Sequence, residues 1–457
     1  MIFKVISVFV LLLAVIVALM LGGVFDTAPE PPEYGDGWWG KGEKPNTPPD
    51  ESIVPFEIQF EQSVFNDLKS RIRNTRFGVG LEDRRFNYGV RPEYMRNVAK
   101  YWLSSYNWTK QQEEINTFDH FKTNIEGLDI HFMHVKPTLK AGQKAVPLLM
   151  IHGWPGSFYE YLKIAPLLTK VNDQSDVVFE LICPSIPGYT FSEASHKKGL
   201  DALAVARIFD KLMKRLGFRQ YYIQGGDWGA YIITKIALIT PSSILGLHSN
   251  MATTRLPLQP LFLMIGSYFP SLIFSSKEDQ DKVFPAGEKM AHIMLETGYM
   301  HIQATKPDTV GSALNNSPIG LAAYILEKFS TWTDPKGRDM DDGGIDKYWT
   351  LDELLTNIML YWMTGSITPS MRFYKENIAN ALQEPFYKIN VPSAVADFPM
   401  ELSHTPEPWV RKQYVDLMQY TTMPRGGHFA AFEEPQLLAD DIRKFVTAVE
   451  LRKVKTP

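Results

Sequence analysis

One cysteine, Cys183, is all that the 457 residues contain. An internal disulfide is therefore impossible, and a metal site built on thiolates is excluded. The residue sits in the apolar run Val177–Ile186 and reads as a core side chain. The chain also lacks an HExxH pair, a Walker loop and a dinucleotide-binding glycine fingerprint. These absences favour chemistry that uses neither metal nor cofactor. A net charge of -4, with no basic stripe, argues against a nucleic-acid partner. What the chain has in quantity is apolar and aromatic material: 45% of residues are hydrophobic and 12% aromatic. That is enough to bury a large core and to line an apolar pocket.

Charge is missing at the N-terminus too. No charged residue lies between Lys4 and Asp26, and Val5–Leu21 is almost wholly aliphatic. Roughly twenty such residues span a bilayer. A cleaved signal peptide would have an apolar core of only about 7–15 residues and an A-x-A site after it, and no such site follows here. Residues 1–25 are expected to be an uncleaved transmembrane anchor in contact with membrane lipid. A linker rich in proline, glycine and acidic residues follows over 26–50. It carries Trp38-Trp39-Gly40, whose indoles suit either a membrane interface or docking on the folded domain. Residues 51–120 read as a helix-prone extension packing on the core, with Arg71, Arg73 and Arg76 on a solvated face.

Beyond it the pattern becomes regular. Phe118–Val135 alternates about Glu126-Gly127-Leu128-Asp129 and predicts a β-hairpin. Val146–Ile151, Val177–Cys183, Tyr221–Gln224 and Ile244–Ser249 are short apolar runs of strand character. Helical patterns over Phe158–Leu168, Leu200–Leu216 and Ile232–Leu238 separate them. Such alternation indicates a mostly parallel sheet covered on both faces. The strand rhythm then stops, and 255–385 reads as a helical cap rich in Met and aromatics. It is inserted between two parts of one α/β core, 121–254 and 386–457. The second part brings strands at Val391–Phe398 and Tyr420–Met423 and a closing helix at Pro435–Glu450.

The chemistry centres on Gly225-Gly226-Asp227-Trp228-Gly229. A strand leads in and a helix leads out, the context of a G-x-S-x-G nucleophile elbow, but an aspartate stands where serine would. A serine attacking an sp³ carbon leaves an ether, which water does not readily cleave. An aspartate leaves an ester, which a histidine-activated water can hydrolyse. The elbow thus points to hydrolysis at an alkyl carbon, such as an epoxide or a carbon–halogen bond.

The α/β-hydrolase order, nucleophile then acid then histidine, directs attention to Gly426-Gly427-His428-Phe429 for the histidine. The acid should follow the strand at Val391–Phe398, where Asp397, Glu401 and Glu407 are all candidates. An oxyanion hole needs rigidly held backbone N–H groups. Trp228, after the nucleophile, offers one, and Trp154 in His152-Gly153-Trp154-Pro155-Gly156 offers the other. Opening an epoxide also requires an acid for the alkoxide, and a phenol of pKa about 10 qualifies. The cap tyrosines Tyr268, Tyr299, Tyr324, Tyr348, Tyr361 and Tyr374 are the candidates, and spacing does not choose among them.

The blocks HGWPGSFYE, ICPSIPGY, YIQGGDWG, GYMHIQATKPDTVGSALNNSPIGLAAYILEKFSTWT, RFYKEN and RGGHFAAFEEP resemble the microsomal epoxide hydrolase family, which includes the insect juvenile hormone epoxide hydrolases. The likeness runs from the N-terminal apolar segment to the final helix. It implies an α/β-hydrolase fold and conversion of xenobiotic epoxides or juvenile hormone to diols, with water as co-substrate and no cofactor. It also implies Asp227 as nucleophile, His428 as base, Glu401 in FPMELSHTP as its acid partner, and Tyr299 and Tyr374 as the phenols on the epoxide oxygen. A haloalkane dehalogenase is the alternative, sharing the elbow Asp and the following Trp but needing no paired phenols. The resemblance implies an endoplasmic-reticulum membrane protein, single-pass, with its catalytic domain on the cytosolic face. The unpaired Cys183 leans the same way, because lumenal domains often carry disulfides. Lys4 before the apolar run and Asp26, Glu30 and Glu33 after it favour the lumen instead, by the positive-inside tendency.

Overall fold

Nine strands form one sheet in a computed structural model that describes residues 29–140, 143–171 and 177–455. The strands are β1 (Val54–Pro55), β2 (Asp119–Ile125), β3 (Leu128–Val135), β4 (Ala145–Ile151), β5 (Val178–Pro184), β6 (Tyr221–Gly225), β7 (Ile244–Ser249), β8 (Ser393–Asp397) and β9 (Leu417–Thr422). Their spatial order is β1-β2-β3-β5-β4-β6-β7-β8-β9. The β1–β2, β2–β3 and β3–β5 pairs are antiparallel, and every pairing from β5 to β9 is parallel. This is an α/β-hydrolase sheet. Helices cover both faces of its parallel part, so β4 and β6 are apolar at nearly every position and Leu149, Met150, Ile151 and Ile223 are fully buried. The expected membrane anchor, 1–25, lies outside the described residues, among which no helix is long and apolar enough to cross a membrane.

The linker docks on the folded domain. Trp39 donates its backbone N–H to the Glu126 carbonyl at 2.8 Å and its indole N–H to the Glu126 carboxylate at 2.9 Å. Trp38 packs on Gly127, in the tight β2–β3 turn, where a Cβ would collide with the indole. Glu126 is also gripped by both guanidinium arms of Arg207, at 2.6 and 2.7 Å. Arg73 and Arg76 are exposed as expected, whereas Arg71 is half-buried and bonds Asp67 and the backbone of Asn316.

Two local differences from the sequence pattern matter. The helix expected over Phe158–Leu168 is broken into a 3₁₀ turn, Phe158–Tyr161, and a short helix, Ala165–Leu168. The 3₁₀ turn is capped by Ser157, whose hydroxyl accepts from the Tyr159 N–H, and it turns Phe158, Tyr159 and Tyr161 into the core. A helix at Glu407–Gln413 was not expected, and it places Glu407 in an exposed ion pair with Arg411. Between β7 and β8 the chain is helical, from Gln259 to Gln383. This insertion lies over the C-terminal ends of β4, β6 and β8, where ligands collect in open parallel sheets.

Candidate active site

Asp227 closes β6 and precedes the Trp228–Ile239 helix with φ of 50° and ψ of -128°. Few non-glycine residues tolerate that conformation, which costs of order 1–3 kcal/mol and is held by the surrounding structure. The flanking residues must be small. A Cβ on Gly229 would strike the carbonyl of Ile151, one on Gly226 would strike Asn250, and one on Gly153 would strike Asp227 itself.

The carboxylate meets different partners through its two oxygens. Oδ1 accepts the backbone N–H of Trp154 at 2.8 Å. Oδ2 lies 3.5 Å from Nε2 of His428. Trp228 opens the helix, where a backbone N–H has no intrahelical acceptor, beside the same carboxylate. Nδ1 of His428 bonds Glu401 Oε1 at 2.6 Å. His428 and Glu401 side chains are only 2% and 1% exposed, so their pairing is screened from water. The Glu433 carboxylate accepts the N–H groups of Gly427 and Phe429, both at 2.8 Å, and pins the loop on each side of His428.

The other acid candidates point elsewhere. Asp397 bonds His404 at 2.7 Å and Lys282 at 2.9 Å. Glu407 belongs to its exposed helix. Buried histidines provide a useful contrast. Burial pushes His120 and His152 down to about 4. Burial opposes the charge on His428 as well, yet the carboxylates of Glu401 and Asp227 outweigh it and hold the imidazole well above its ordinary range.

Of the six cap tyrosines, the structure brings Tyr299 and Tyr374 to Asp227. They stand on adjacent helices, Gly298–Thr305 and Ile367–Gln383. Tyr299 stacks on Trp154 with ring centroids 5.3 Å apart. Tyr374 meets Trp228 edge-on at 4.8 Å and Tyr299 at 5.8 Å. Both phenols are pushed above the usual phenol range by burial first, with the charge of Asp227 adding to it, so they remain neutral donors. The Tyr374 hydroxyl is buried without a hydrogen-bond partner among the described residues. The remaining tyrosines are otherwise engaged or remote. Tyr361 donates to the Gly156 carbonyl at 2.6 Å, Tyr348 to Asp334 at 2.9 Å, Tyr324 accepts from Gln303 at 3.3 Å, and Tyr268 is 79% exposed.

Asp227, Trp228, Tyr299, Met300 and Tyr374 share the wall of a cavity of about 370 Å³, large enough for a small apolar molecule. Among the described residues no cluster of His, Cys, Asp and Glu has the makings of a metal site. Glu160 and Glu433 were not singled out from sequence. Glu160 lies among aromatics, and its spacing gives no sign that it turns inward.

Comparison with known proteins agrees with this geometry. Residues 53–161 match the family described as epoxide hydrolase N terminus, and residues 146–341 match the alpha/beta hydrolase fold. The chain is 53% identical to epoxide hydrolase 1 of Sus scrofa over 91% of its own length and 93% of the pig protein. It is 44% identical to juvenile hormone epoxide hydrolase 1 of Ctenocephalides felis, over 93% and 92% of the two chains. The crystal structure of juvenile hormone epoxide hydrolase from Bombyx mori superposes with a TM-score of 0.87 at 44% identity, covering 92% of this chain and 99% of that one.

Proposed function

The chain belongs to the epoxide hydrolase family, and from that premise we propose that it converts apolar epoxides to diols through an alkyl ester on Asp227. The observation that carries this reading is the elbow carboxylate, with one oxygen on the Trp154 N–H and the other toward His428. Oδ2 attacks an epoxide carbon from the 370 Å³ cavity, and the carbon–oxygen bond of the ring breaks. Tyr299 and Tyr374 hold the epoxide oxygen, and one of them gives it a proton. Oδ1 remains on the N–H of Trp154, and the unpaired N–H that Trp228 brings to the start of its helix is the second donor for the oxyanion formed when water attacks Cγ.

His428, oriented by Glu401, takes the proton from that water. In the resting site two carboxylates favour its imidazolium. Esterification removes the charge of Asp227 and weakens the hold on that proton, which passes to the phenoxide left by epoxide opening, so the neutral imidazole is the base at the step that needs one. A haloalkane dehalogenase would have no use for the two phenols, and the relatives lend that reading no support. Single turnover in ¹⁸O-water should place label on Asp227, because the water oxygen enters its carboxylate. Label confined to the diol would overturn the covalent route. Turnover of styrene oxide against that of juvenile hormone then separates aromatic from terpenoid epoxides as the preferred class.

Residues 1–25 act, in this proposal, as a single membrane span in the endoplasmic reticulum, with the catalytic part on the cytosolic face. The uncharged aliphatic run supports it. Two sequons, at Asn107 and Asn315, carry exposed asparagines, so they report on compartment and not on burial. Neither should be glycosylated. A mobility shift removed by an endoglycosidase would place the domain in the lumen. Carbonate extraction should leave the protein in the membrane pellet, and deletion of residues 1–24 should weaken that retention.

A further inference from the structure

A second, much smaller cavity touches the nucleophile. It measures about 20 Å³ and shares only Asp227 with the larger one. That volume holds one water and no substrate. Its wall is polar: Glu160, Gln224, Asn250 and His428 line it together with Asp227. Gln224 donates its amide to Asn250 Oδ1 at 2.8 Å, while its own carbonyl oxygen is buried with no partner among the described residues. An orphaned buried acceptor in a water-sized polar cavity is the mark of a missing polar guest.

Glu160 reaches this cavity because the chain makes room for it. It is the half-buried member of the 3₁₀ turn and lines the cavity, and a Cβ on Gly156 would collide with its Oε1. We propose that this cavity seats the hydrolytic water and that Glu160 is its positioning residue, accepting the hydrogen bond that His428 does not take. Burial pushes the Glu160 carboxyl up to about 8, with His428 pulling down and Asp227 pushing up. The raised carboxyl favours the protonated form, which keeps an acceptor oxygen without setting a second charge beside Asp227.

The water oxygen forms a bond to Cγ of the ester while one of its protons passes to His428. The tetrahedral intermediate collapses, the Cγ–O(alkyl) bond breaks, and the departing alkoxide takes that proton to complete the diol. The second water proton, left on the Asp227 carboxyl, passes to His428 and restores the resting imidazolium.

This inference rests on the ester reading above, and one experiment separates the two. Stopped-flow tryptophan fluorescence with an epoxide gives the rate of ester formation, and quenched single turnovers give the rate of its hydrolysis. Glu160→Leu should form the ester at close to the wild-type rate and hydrolyse it about 10²-fold more slowly, as misplaced reactants do. Glu160→Gln, which keeps an acceptor oxygen, should restore most of the hydrolysis rate. Wild-type hydrolysis in the Leu variant would overturn the proposal, and so would a parallel fall of both rates in both variants. Should Glu160→Leu not fold, Glu160→Ser carries the same expectation. His428→Gln is the control. Ester that accumulates there but not in Glu160→Leu removes only the water seat, whereas no ester in either removes the covalent reading itself.

Discussion

The two walls of the substrate cavity are built on different principles. On the sheet side each polar group is fixed by hydrogen bonds: Asp227 on Trp154, His428 on Glu401, and the His428 loop on Glu433. On the side of the helical insertion, Tyr299 and Tyr374 are fixed by ring packing against Trp154, Trp228 and each other. Among the described residues the Tyr374 hydroxyl has no close hydrogen-bond partner and only the Tyr299 phenol beside it. A charge that must keep its direction through two chemical steps needs bonded neighbours. A donor that must meet an incoming oxygen needs its ring held and its hydroxyl free. The division predicts that the sheet wall governs ester hydrolysis and the insertion wall governs ester formation.

The strongest way to break that comparison is at the sheet wall. Asp227→Ala should lower turnover by roughly 10⁴-fold or more, since the members of such a constellation act as one unit. His428→Gln should still form the ester and then stop, which mass spectrometry of the intact protein would detect as an adduct. An unmodified His428→Gln protein after incubation with epoxide would mean that the base acts earlier than this division allows.

At the insertion wall, replacing either Tyr299 or Tyr374 by Phe should slow ester formation by roughly 10²-fold, and replacing both should slow it further. Hydrolysis of an ester already formed should be little changed. If the double variant forms ester at the wild-type rate, or releases bromide from a haloalkane, the phenols are not the acids and the two walls are not divided as described.

The same difference explains what could be read from sequence. The sheet wall was legible because its parts are local: Asp227 sits between small residues in a strand–turn–helix pattern, and His428 follows two glycines after the last strand. Even there, spacing left Asp397, Glu401 and Glu407 open, since a loop carboxylate's direction is set by tertiary bonds such as Asp397 to Lys282. The insertion wall was not legible from periodicity. Six tyrosines, five of them on helices, look alike until their hydroxyls are traced, and only the family likeness pointed to Tyr299 and Tyr374. Glu160 escaped both routes because its turn is 3₁₀, whereas the pattern around it suggests a helix with an outward glutamate.

A smaller effect is expected at the seam between the walls. Asn357, on the insertion, donates to the Pro155 carbonyl at 2.8 Å and accepts from the Ser157 hydroxyl at 2.8 Å. Asn357→Leu would leave the Pro155 carbonyl without this donor and the Ser157 O–H without this acceptor, although the Ser157 oxygen keeps the Tyr159 N–H, at a cost of about 1–3 kcal/mol for each. Urea denaturation should show a lower midpoint. Ester formation should suffer more than hydrolysis, because Asn357 holds the Trp154–Pro155 loop on which Tyr299 stacks. Equal losses in the two steps would show that the seam is structural support for the whole site.

The remaining effect lies in the pH dependence of stability and bears on whether Glu160 is a protonated member of the sheet wall. Its carboxyl is raised from the usual 4.5 to about 8, chiefly by burial. The folded state therefore binds the proton more tightly than the unfolded chain does. The group adds stability at acid pH, and that contribution declines as pH rises from about 4.5 to about 8, then stays level. Glu160→Gln keeps the shape and an acceptor oxygen but does not titrate, so its urea midpoint should fall less steeply across that window than the wild-type midpoint. The denaturant slope m should be the same in both proteins, so that midpoints report stability directly. Identical pH profiles would mean that Glu160 is ionised in the folded protein at neutral pH. The sheet wall would then hold three carboxylates around one imidazole, and the water seat would have to be a charged one.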